Sequence, residues 1–220
     1  MEKKIILDGH SPESLRAAAG GDQSKLRTFL LSPANLKGAR GRRLFQGESA
    51  SELGTRLRAG SATLAEVFSF TSSLYFRGKL AYARAFGASH SGVEGSYVIT
   101  ASRGLMLPDT SVDLAMLKEL TAIAELDPEG DRYRIPLERD AIALDERLGD
   151  AGEVVLLGSV ATPKYVKPLL NVFGARLLFP SAFAGRGNMS RGGLLLRSVR
   201  ERRELSYISV AGLVGSCARD

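Results

Sequence analysis

The stretch "EVVLLGSVATPKYVKPLLNVFGARLLFP", residues 153–180, predicts a strand, a helix and a second strand in succession. Short apolar runs at its two ends are typical of buried strands. Between them, Thr162 is a typical N-cap residue and Pro163 suits the first helical position. Consecutive strands joined by a helix run parallel in a sheet. The stretch therefore predicts an α/β fold.

The rest of the chain continues this alternation. Further strands are predicted in "LRTFLLSP" (26–33), "YVITASRG" (97–104) and, at a sheet edge, "ELSYISV" (204–210). The apolar spacing of residues 63–87 predicts two helices broken near residues 71–73, and helices are also predicted over 111–126 and from Pro136 to Gly149. We expect one α/β domain over residues 26–212, with a mostly parallel or mixed sheet flanked by helices, a loosely attached leader (1–25) and a tail (213–220).

Charge and composition limit the possible partners. The 220 residues include 30 Lys and Arg against 24 Asp and Glu, a net charge of +6, which favours nucleic acid, nucleotides or other anions; a basic surface that only aids solubility is the alternative. The single cysteine, Cys217, excludes a disulfide framework and fits a cytoplasmic location. Apolar runs far shorter than ~20 residues predict no membrane span.

Cofactor and metal motifs are missing from the sequence. His10 and His90 are the only histidines, so no Ser-His pair and no two-histidine metal site is predicted. Neither a Walker A sequence nor a Gly-x-Gly-x-x-Gly turn follows a predicted strand. We therefore expect no metal and no cofactor, and the oligomeric state is left open.

Serine follows three of the predicted strands, as Ser32, Ser102 and Ser159. Ligands collect beyond the carboxyl ends of strands in an open parallel sheet, where loops turn into helices and backbone N–H groups point outward. These hydroxyls are therefore candidate ligand contacts. Serine is also an ordinary turn and N-cap residue, which is the alternative for each one alone.

Arginine alternates with glycine in "AGRGNMSRGGLLLR", residues 184–197. We interpret this as a loop in which glycines adopt left-handed turns while Arg186, Ser190 and Arg191 bind an anion. A flexible, solvated basic loop is the alternative. Lys37 and Arg40, after the first strand, are expected on the same rim, and a cluster from Arg197 to Arg203 is interpreted as a solvated turn.

Candidates for acid–base chemistry are few. Asp109 and Glu66 are the carboxylates best placed to act as general acid or base, although Asp109, like Asp113, is also typical of a helix start. Tyr75, Arg77 and Lys79 form a polar group in a mostly apolar helix, which either faces the cleft or flanks a buried stripe.

Several segments, in order, resemble motifs of the YaaA-type family of bacterial peroxide-stress proteins. They are "LLSPANLKG" (30–38), with Asn35 where the family has lysine, "LYFRGKLAYA" (74–83), "ITASRGLMLPD" (99–109), "LLGSVATPKYV" (156–166) and "GRGNMSRGGLLLR" (185–197). The resemblance implies a cytoplasmic α/β protein with a positively charged cleft that binds DNA and limits oxidative damage to it. It assigns to the cleft Ser32, Ser102, Ser159, Tyr165, Arg186, Ser190 and Arg191.

Two functions are therefore compatible with the sequence. In the first, a basic cleft that also includes Arg103 and Lys164 binds the phosphates of nucleic acid, linked to protection against oxidative stress. In the second, the same cleft belongs to an enzyme acting on a nucleotide, nucleoside or other phosphorylated small molecule, with Asp109 or Glu66 transferring a proton.

Overall fold

A computed structural model describes residues 26–46, 51–72, 74–90, 92–126 and 130–212. The predicted leader (1–25) and tail (213–220) lie outside the described residues. In chain order the elements are β1 (Arg27–Leu31), α1 (Ala39–Phe45), α2 (Glu52–Arg58), β2 (Ala62–Thr63), α3 (Leu64–Ser72), α4 (Leu74–Phe86), β3 (Ser96–Thr100), β4 (Gly104–Met106), β5 (Ser111–Val112), α5 (Leu114–Leu126), α6 (Asp131–Leu148), β6 (Glu153–Leu157), α7 (Pro163–Phe173), β7 (Leu177–Pro180), α8 (Asn188–Glu201) and β8 (Tyr207–Ser209).

The main sheet has the strand order β4-β3-β1-β6-β7-β8. Strands β3, β1, β6 and β7 run parallel, whereas β4 and β8 pair antiparallel at the two edges. A separate two-stranded sheet joins β2 to β5. The predicted α/β fold with a mostly parallel sheet flanked by helices is confirmed, and the predicted edge strand is β8.

The core forms around the two central strands. Phe29, Leu30 and Leu31 of β1 and residues 154–157 of β6 are fully buried. Strands covered on both faces read as continuous apolar runs, which is why these segments were recognisable in the sequence. Helix α4 packs against β1 and α8, and α6 packs against α7, β3 and β4.

Helix α6 begins earlier than its sequence predicts. Pro136 was expected at the first helical position, but the helix starts at Asp131 and contains Pro136 inside it. Tyr133 and Leu137, one turn apart, are both buried against the core. Their burial offsets the hydrogen bond that a proline inside a helix removes.

The predicted anion-binding loop at residues 184–197 is wrong over most of its length, because α8 covers Asn188–Glu201. Of its four glycines, only Gly185 has a positive φ, +67°. Gly192 instead lies against α4, where a side chain would meet the backbone of Leu74 and Tyr75. The cluster from Arg197 to Arg203 spans the end of α8 rather than a hairpin turn. Glycine serves close helix packing here.

No helix among the described residues combines the length and the apolar character needed to cross a bilayer.

Candidate functional site

A pocket of about 430 Å³ opens at the carboxyl edge of the sheet. Ser32 follows β1 directly, and Thr100 and Ala101 lie at the end of β3. These strands are parallel neighbours, so their ends meet at one edge. The pocket is lined by Ser32, Pro33, Ala34, Asn35, Leu36, Lys37, Phe68, Thr100, Ala101, Leu120, Thr121, Ala124, Tyr133, Thr162, Lys164 and Tyr165.

A second pocket, of about 350 Å³, adjoins the first. Ser32, Pro33, Asn35 and Tyr165 line both pockets. The remaining wall of the second pocket is formed by Gly38, Thr71, Ser72, Tyr75, Ser159 and Asn188. Ser32 therefore lies at the junction of the two pockets.

Ser32 is held from behind by a buried lysine. The Nζ atom of Lys79, on α4, donates hydrogen bonds to the Ser32 carbonyl oxygen at 2.5 Å and to Ser32 Oγ at 2.9 Å. The Ser32 N–H donates to the Leu157 carbonyl oxygen at 3.2 Å, which continues the pairing of β1 with β6 past the end of the strand. Backbone and side-chain contacts together fix the position of the hydroxyl.

Lys79 itself is 1% exposed. The rings of Tyr75 and Phe76 lie with their centroids 4.6 and 5.0 Å from Nζ, and no described carboxylate forms an ion pair with it. Burial disfavours the charged ammonium, and it lowers the pKa of Lys79 to about 7. A large fraction of this amine is therefore neutral near neutral pH.

Tyr165, like Ser32, lines both pockets. Its hydroxyl accepts a hydrogen bond from the Ser159 N–H at 3.2 Å. Gly158 makes room for this arrangement, because a Cβ on Gly158 would lie 2.9 Å from Ser32 Cβ and 3.3 Å from the Tyr165 hydroxyl. Three predicted site residues, Ser32, Ser159 and Tyr165, are thus brought together.

Two of the predicted cations reach the larger pocket, Lys37 and Lys164. Partial burial lowers the pKa of Lys164, whose ammonium lies 5.3 Å from the centre of the Tyr133 ring. Thr162, the N-cap of α7, borders the same pocket and forms no side-chain cap hydrogen bond. Positive charge, the N-terminus of α7 and aromatic surface therefore border the same pocket.

Comparisons with protein-family models, with curated proteins and with solved structures found no match for this chain. Within the described ranges, no group of three or more His, Cys, Asp or Glu side chains is arranged to hold a metal ion.

Ser102 and Arg103 lie in the turn between β3 and β4, outside both pockets. The Ser102 hydroxyl and the Arg103 guanidinium donate to the two carboxylate oxygens of Glu119, each at 2.7 Å. These hydrogen bonds lower the pKa of Glu119, with that from Arg103 contributing most. Ser102 and Arg103 therefore link the β3–β4 turn to α5 through Glu119.

The arginines of residues 184–197 have different surroundings. Arg191 donates to the Phe183 carbonyl oxygen at 3.0 and 3.2 Å and, more weakly, to that of Gly158 at 3.4 Å. Arg186 and Ser190 instead lie in a separate, smaller depression beside Arg197, with Arg186 Nη1 3.2 Å from Ser190 Oγ. They do not line the two central pockets.

Arg40 also lies outside both pockets, on α1, with Nη1 3.5 Å from the Phe70 carbonyl oxygen. Of the basic residues predicted after the first strand, Lys37 is the one placed at the central site.

The two candidate acid–base carboxylates lie away from the central pockets. Asp109 pairs with Arg84 at 2.7 Å. Glu66 accepts from the Thr63 N–H at 2.8 Å while the Glu66 N–H donates to Thr63 Oγ1, which is the reciprocal capping arrangement of a helix start. Glu66 also forms an ion pair with Arg56, and this pair is the main reason that the pKa of Glu66 is lowered.

Tyr133, Thr100, Thr121 and Asn188 also line the pockets but were not among the residues predicted from the sequence. For Lys79 the sequence was compatible with both a cleft and a buried position. A signal for Lys79 was present, because Tyr75, Phe76, Tyr82 and Ala83 lie three or four positions away on the same helix and all are buried.

Proposed function

We propose that this protein binds a phosphorylated small molecule, a nucleotide or nucleoside phosphate being the first class to test, in the pocket at the carboxyl edge of the sheet. The observation that carries the proposal is the lining of one pocket by Lys37, Lys164, Tyr133 and the start of α7. Cationic groups and a helix N-terminus favour an anion, and aromatic rings favour a flat base.

The dimensions of the pocket also support a small ligand. Its volume of about 430 Å³ falls within the ~300–1,000 Å³ typical of small-molecule sites. Apolar side chains of Phe68, Leu120 and Ala124 line part of it, as in sites that bury most of their ligand. A duplex would engage a broad surface instead, with phosphate contacts spread along it.

The experiment is thermal denaturation and calorimetric titration with nucleoside mono-, di- and triphosphates, sugar phosphates and the corresponding unphosphorylated nucleosides. A ligand at a hundred times its dissociation constant stabilises the folded state by roughly 2.7 kcal/mol. We expect stabilisation by phosphorylated members and a loss of at least tenfold in affinity on dephosphorylation. Failure of every member to bind would contradict the proposal.

A matched pair of lysines on α7 locates the binding. Lys164 lines the pocket, whereas Lys167 is exposed on the same helix outside it. We expect Lys164→Ala to weaken binding about tenfold and Lys167→Ala to change it less than about twofold, since only the former loses a charge beside the ligand. Equal effects of the two substitutions would place the ligand elsewhere.

A second candidate is nucleic-acid binding, favoured by the depression on α8 that is lined by Arg186, Ser190, Gly193, Leu194 and Arg197. Together with the net charge of +6, it offers a cationic surface outside the pocket. Under this candidate the protein has the cytoplasmic, DNA-protecting role implied by the YaaA-type resemblance. Binding to duplex DNA should then weaken steeply between 50 and 200 mM salt, and Arg186→Ala with Arg197→Ala should abolish it.

A further inference from the structure

Ser32 is the hydroxyl best placed to react with a molecule in either pocket. It lines both pockets at their junction, and the residue retains 8% exposure. Lys79 lines neither pocket, and its Nζ lies behind Ser32 at 2.9 Å from Oγ. The reacting carbon of a ligand therefore meets the hydroxyl, and the amine stands directly behind that hydroxyl, one hydrogen bond away.

The hydrogen bonding around Lys79 suits a neutral amine. The charged form carries three N–H donors, whereas the described polar partners of Nζ are the carbonyl oxygen and Oγ of Ser32. With the amine neutral, the contact to the Ser32 carbonyl remains a donated hydrogen bond, whereas the contact to Oγ reverses, so that the Ser32 hydroxyl donates to the nitrogen lone pair. The desolvation that lowers the pKa of Lys79 acts in the same direction.

We propose that Ser32 and Lys79 are a nucleophile and its general base, which cleave an acyl bond (an ester, thioester or amide) of an anionic molecule held in the pocket. The anionic character of that molecule rests on the proposed function; the nucleophile and base do not. Serine is a weak nucleophile alone, and an adjacent base within hydrogen-bond distance activates it.

The reaction consumes one water for each bond cleaved. Ser32 Oγ forms a bond to the acyl carbon while its proton passes to Lys79 Nζ. The bond from that carbon to the leaving oxygen, sulfur or nitrogen then breaks, and Lys79 returns the proton to the leaving group. Water attacks the resulting acyl-serine, Lys79 takes a proton from the water, and Ser32 Oγ recovers it as the carboxylic acid departs.

Two other roles for Lys79 fit the geometry less well. A lysine that forms a Schiff base must meet its carbonyl substrate, and Lys79 is 1% exposed behind Ser32. A lysine that only anchors the end of β1 would use the Ser32 carbonyl, which leaves its approach to Oγ without purpose. The placement beside Oγ is what a base requires.

A fluorophosphonate probe tests the pair without knowledge of the substrate. Ser32 Oγ would displace fluoride from phosphorus and pass its proton to Lys79, giving a stable adduct. We expect a single adduct, mapped to Ser32 by mass spectrometry, which Ser32→Ala abolishes. Ser111→Ala, at an exposed serine of β5 outside both pockets, should label at the wild-type rate.

The base is tested by Lys79→Met, with Lys167→Met, at an exposed lysine outside both pockets, as the control for the loss of a lysine side chain. General-base catalysis contributes about 10²–10⁴-fold, so we expect Lys79→Met to label at least a hundredfold more slowly. The wild-type rate should rise with pH and level off above about pH 7, following the Lys79 amine. The neighbouring ionisable side chains are Tyr75 and Arg191 beside it, and burial raises the pKa of Tyr75, so its phenol stays protonated over this range.

An adduct elsewhere than Ser32, no adduct, or an unchanged rate in folded Lys79→Met would overturn the proposal. Circular dichroism and thermal unfolding establish whether that variant folds. If Lys79→Met does not fold, a wild-type labelling rate that stays constant from pH 5.5 to 8.5 overturns the role of Lys79 as general base. Labelling without nucleotide binding refutes the proposed function alone, and nucleotide binding without labelling refutes the dyad alone.

Discussion

Gly78 of α4 and Gly192 of α8 are in direct backbone contact. A Cβ added to Gly78 would lie 2.8 Å from the Gly192 carbonyl oxygen, and one added to Gly192 would lie 2.9 Å from the Leu74 carbonyl oxygen. Backbone atoms cannot rotate out of the way as side chains do, so these two glycines set the distance between the helices. Lys79 follows Gly78 directly, and the same contact therefore positions the amine beside Ser32.

Replacing Gly78 with alanine should destabilise the fold by about 2 kcal/mol, because the added methyl group forces α4 and α8 apart. Gly193→Ala is the matched control, since a Cβ there meets nothing within 4 Å and alanine favours a helix by about 0.5–1 kcal/mol. Urea denaturation of both variants measures the difference. Equal stability of the two would mean that the helices can separate freely.

The stability of the protein should depend on the protonation of Lys79. Its pKa is about 7 in the folded state against 10.5 for the unperturbed group, so the unfolded chain binds more protons between these values. The wild type therefore loses stability from this group as the pH falls from about 10.5 to 7, by at most ~1.4 kcal/mol per pH unit. Below about pH 7 the loss is constant.

Lys79→Met removes that dependence and gives the measurement. The free energy of unfolding of the variant, minus that of the wild type, should increase between pH 9.5 and pH 7 in urea titrations. Groups common to both proteins cancel in the difference. A difference that stays constant across this range would show that Lys79 titrates as an ordinary exposed lysine.

Arg191 should matter for stability and Arg186 should not. Arg191 binds the Phe183 carbonyl oxygen with two nitrogen atoms and lies 5.2 Å from the centre of the Phe183 ring. Arg191→Ala is expected to cost about 2 kcal/mol, as hydrogen bonds to charged groups typically do. Arg186→Ala should stay within about 0.5 kcal/mol. Thermal unfolding distinguishes them, and the reverse order would contradict this assignment.

Glu66 and Asp109 should be dispensable for serine labelling. Glu66→Ala removes a reciprocal helix cap and should lower stability by about 1 kcal/mol. Asp109→Ala removes an exposed ion pair with Arg84 and should lower the stability by less than Glu66→Ala does. Both variants should react with the fluorophosphonate at the wild-type rate. A marked loss of labelling rate in either variant would show that its carboxylate takes part in the reaction of Ser32.

The sheet was predictable because its signals are local. Continuous apolar runs marked β1 and β6, and Thr162 with Pro163 marked the start of α7 where the structure has it. The helix starting at Asp131 was misjudged because burial of Tyr133 outweighs the effect of Pro136. Helix α8 was misjudged because glycine suits both a left-handed turn and a close helix contact, and only the partner helix decides between them.

The site was predictable in part for the same reason. Strand ends are visible in the sequence, so Ser32, Ser159 and Lys164 were selected and lie at the central pockets. The partners of a charged group are not visible. Arg103 engages Glu119 and Arg191 engages a backbone carbonyl, pairings that bring together residues 16 and 8 positions apart. Their chemistry depends on which side chains the fold places opposite them.

Strand β8 protects one flank of the sheet. It pairs with β7, and the Tyr82 hydroxyl lies 2.7 Å from that of Tyr207 and accepts the Leu205 N–H at 2.8 Å. Without this segment, β7 would present unpaired amides and carbonyls along Leu178 and Phe179, a template for pairing with other molecules. Truncation before Glu204 should thus turn β7 into an exposed edge strand that self-associates, so expression tags and fusions belong after this strand.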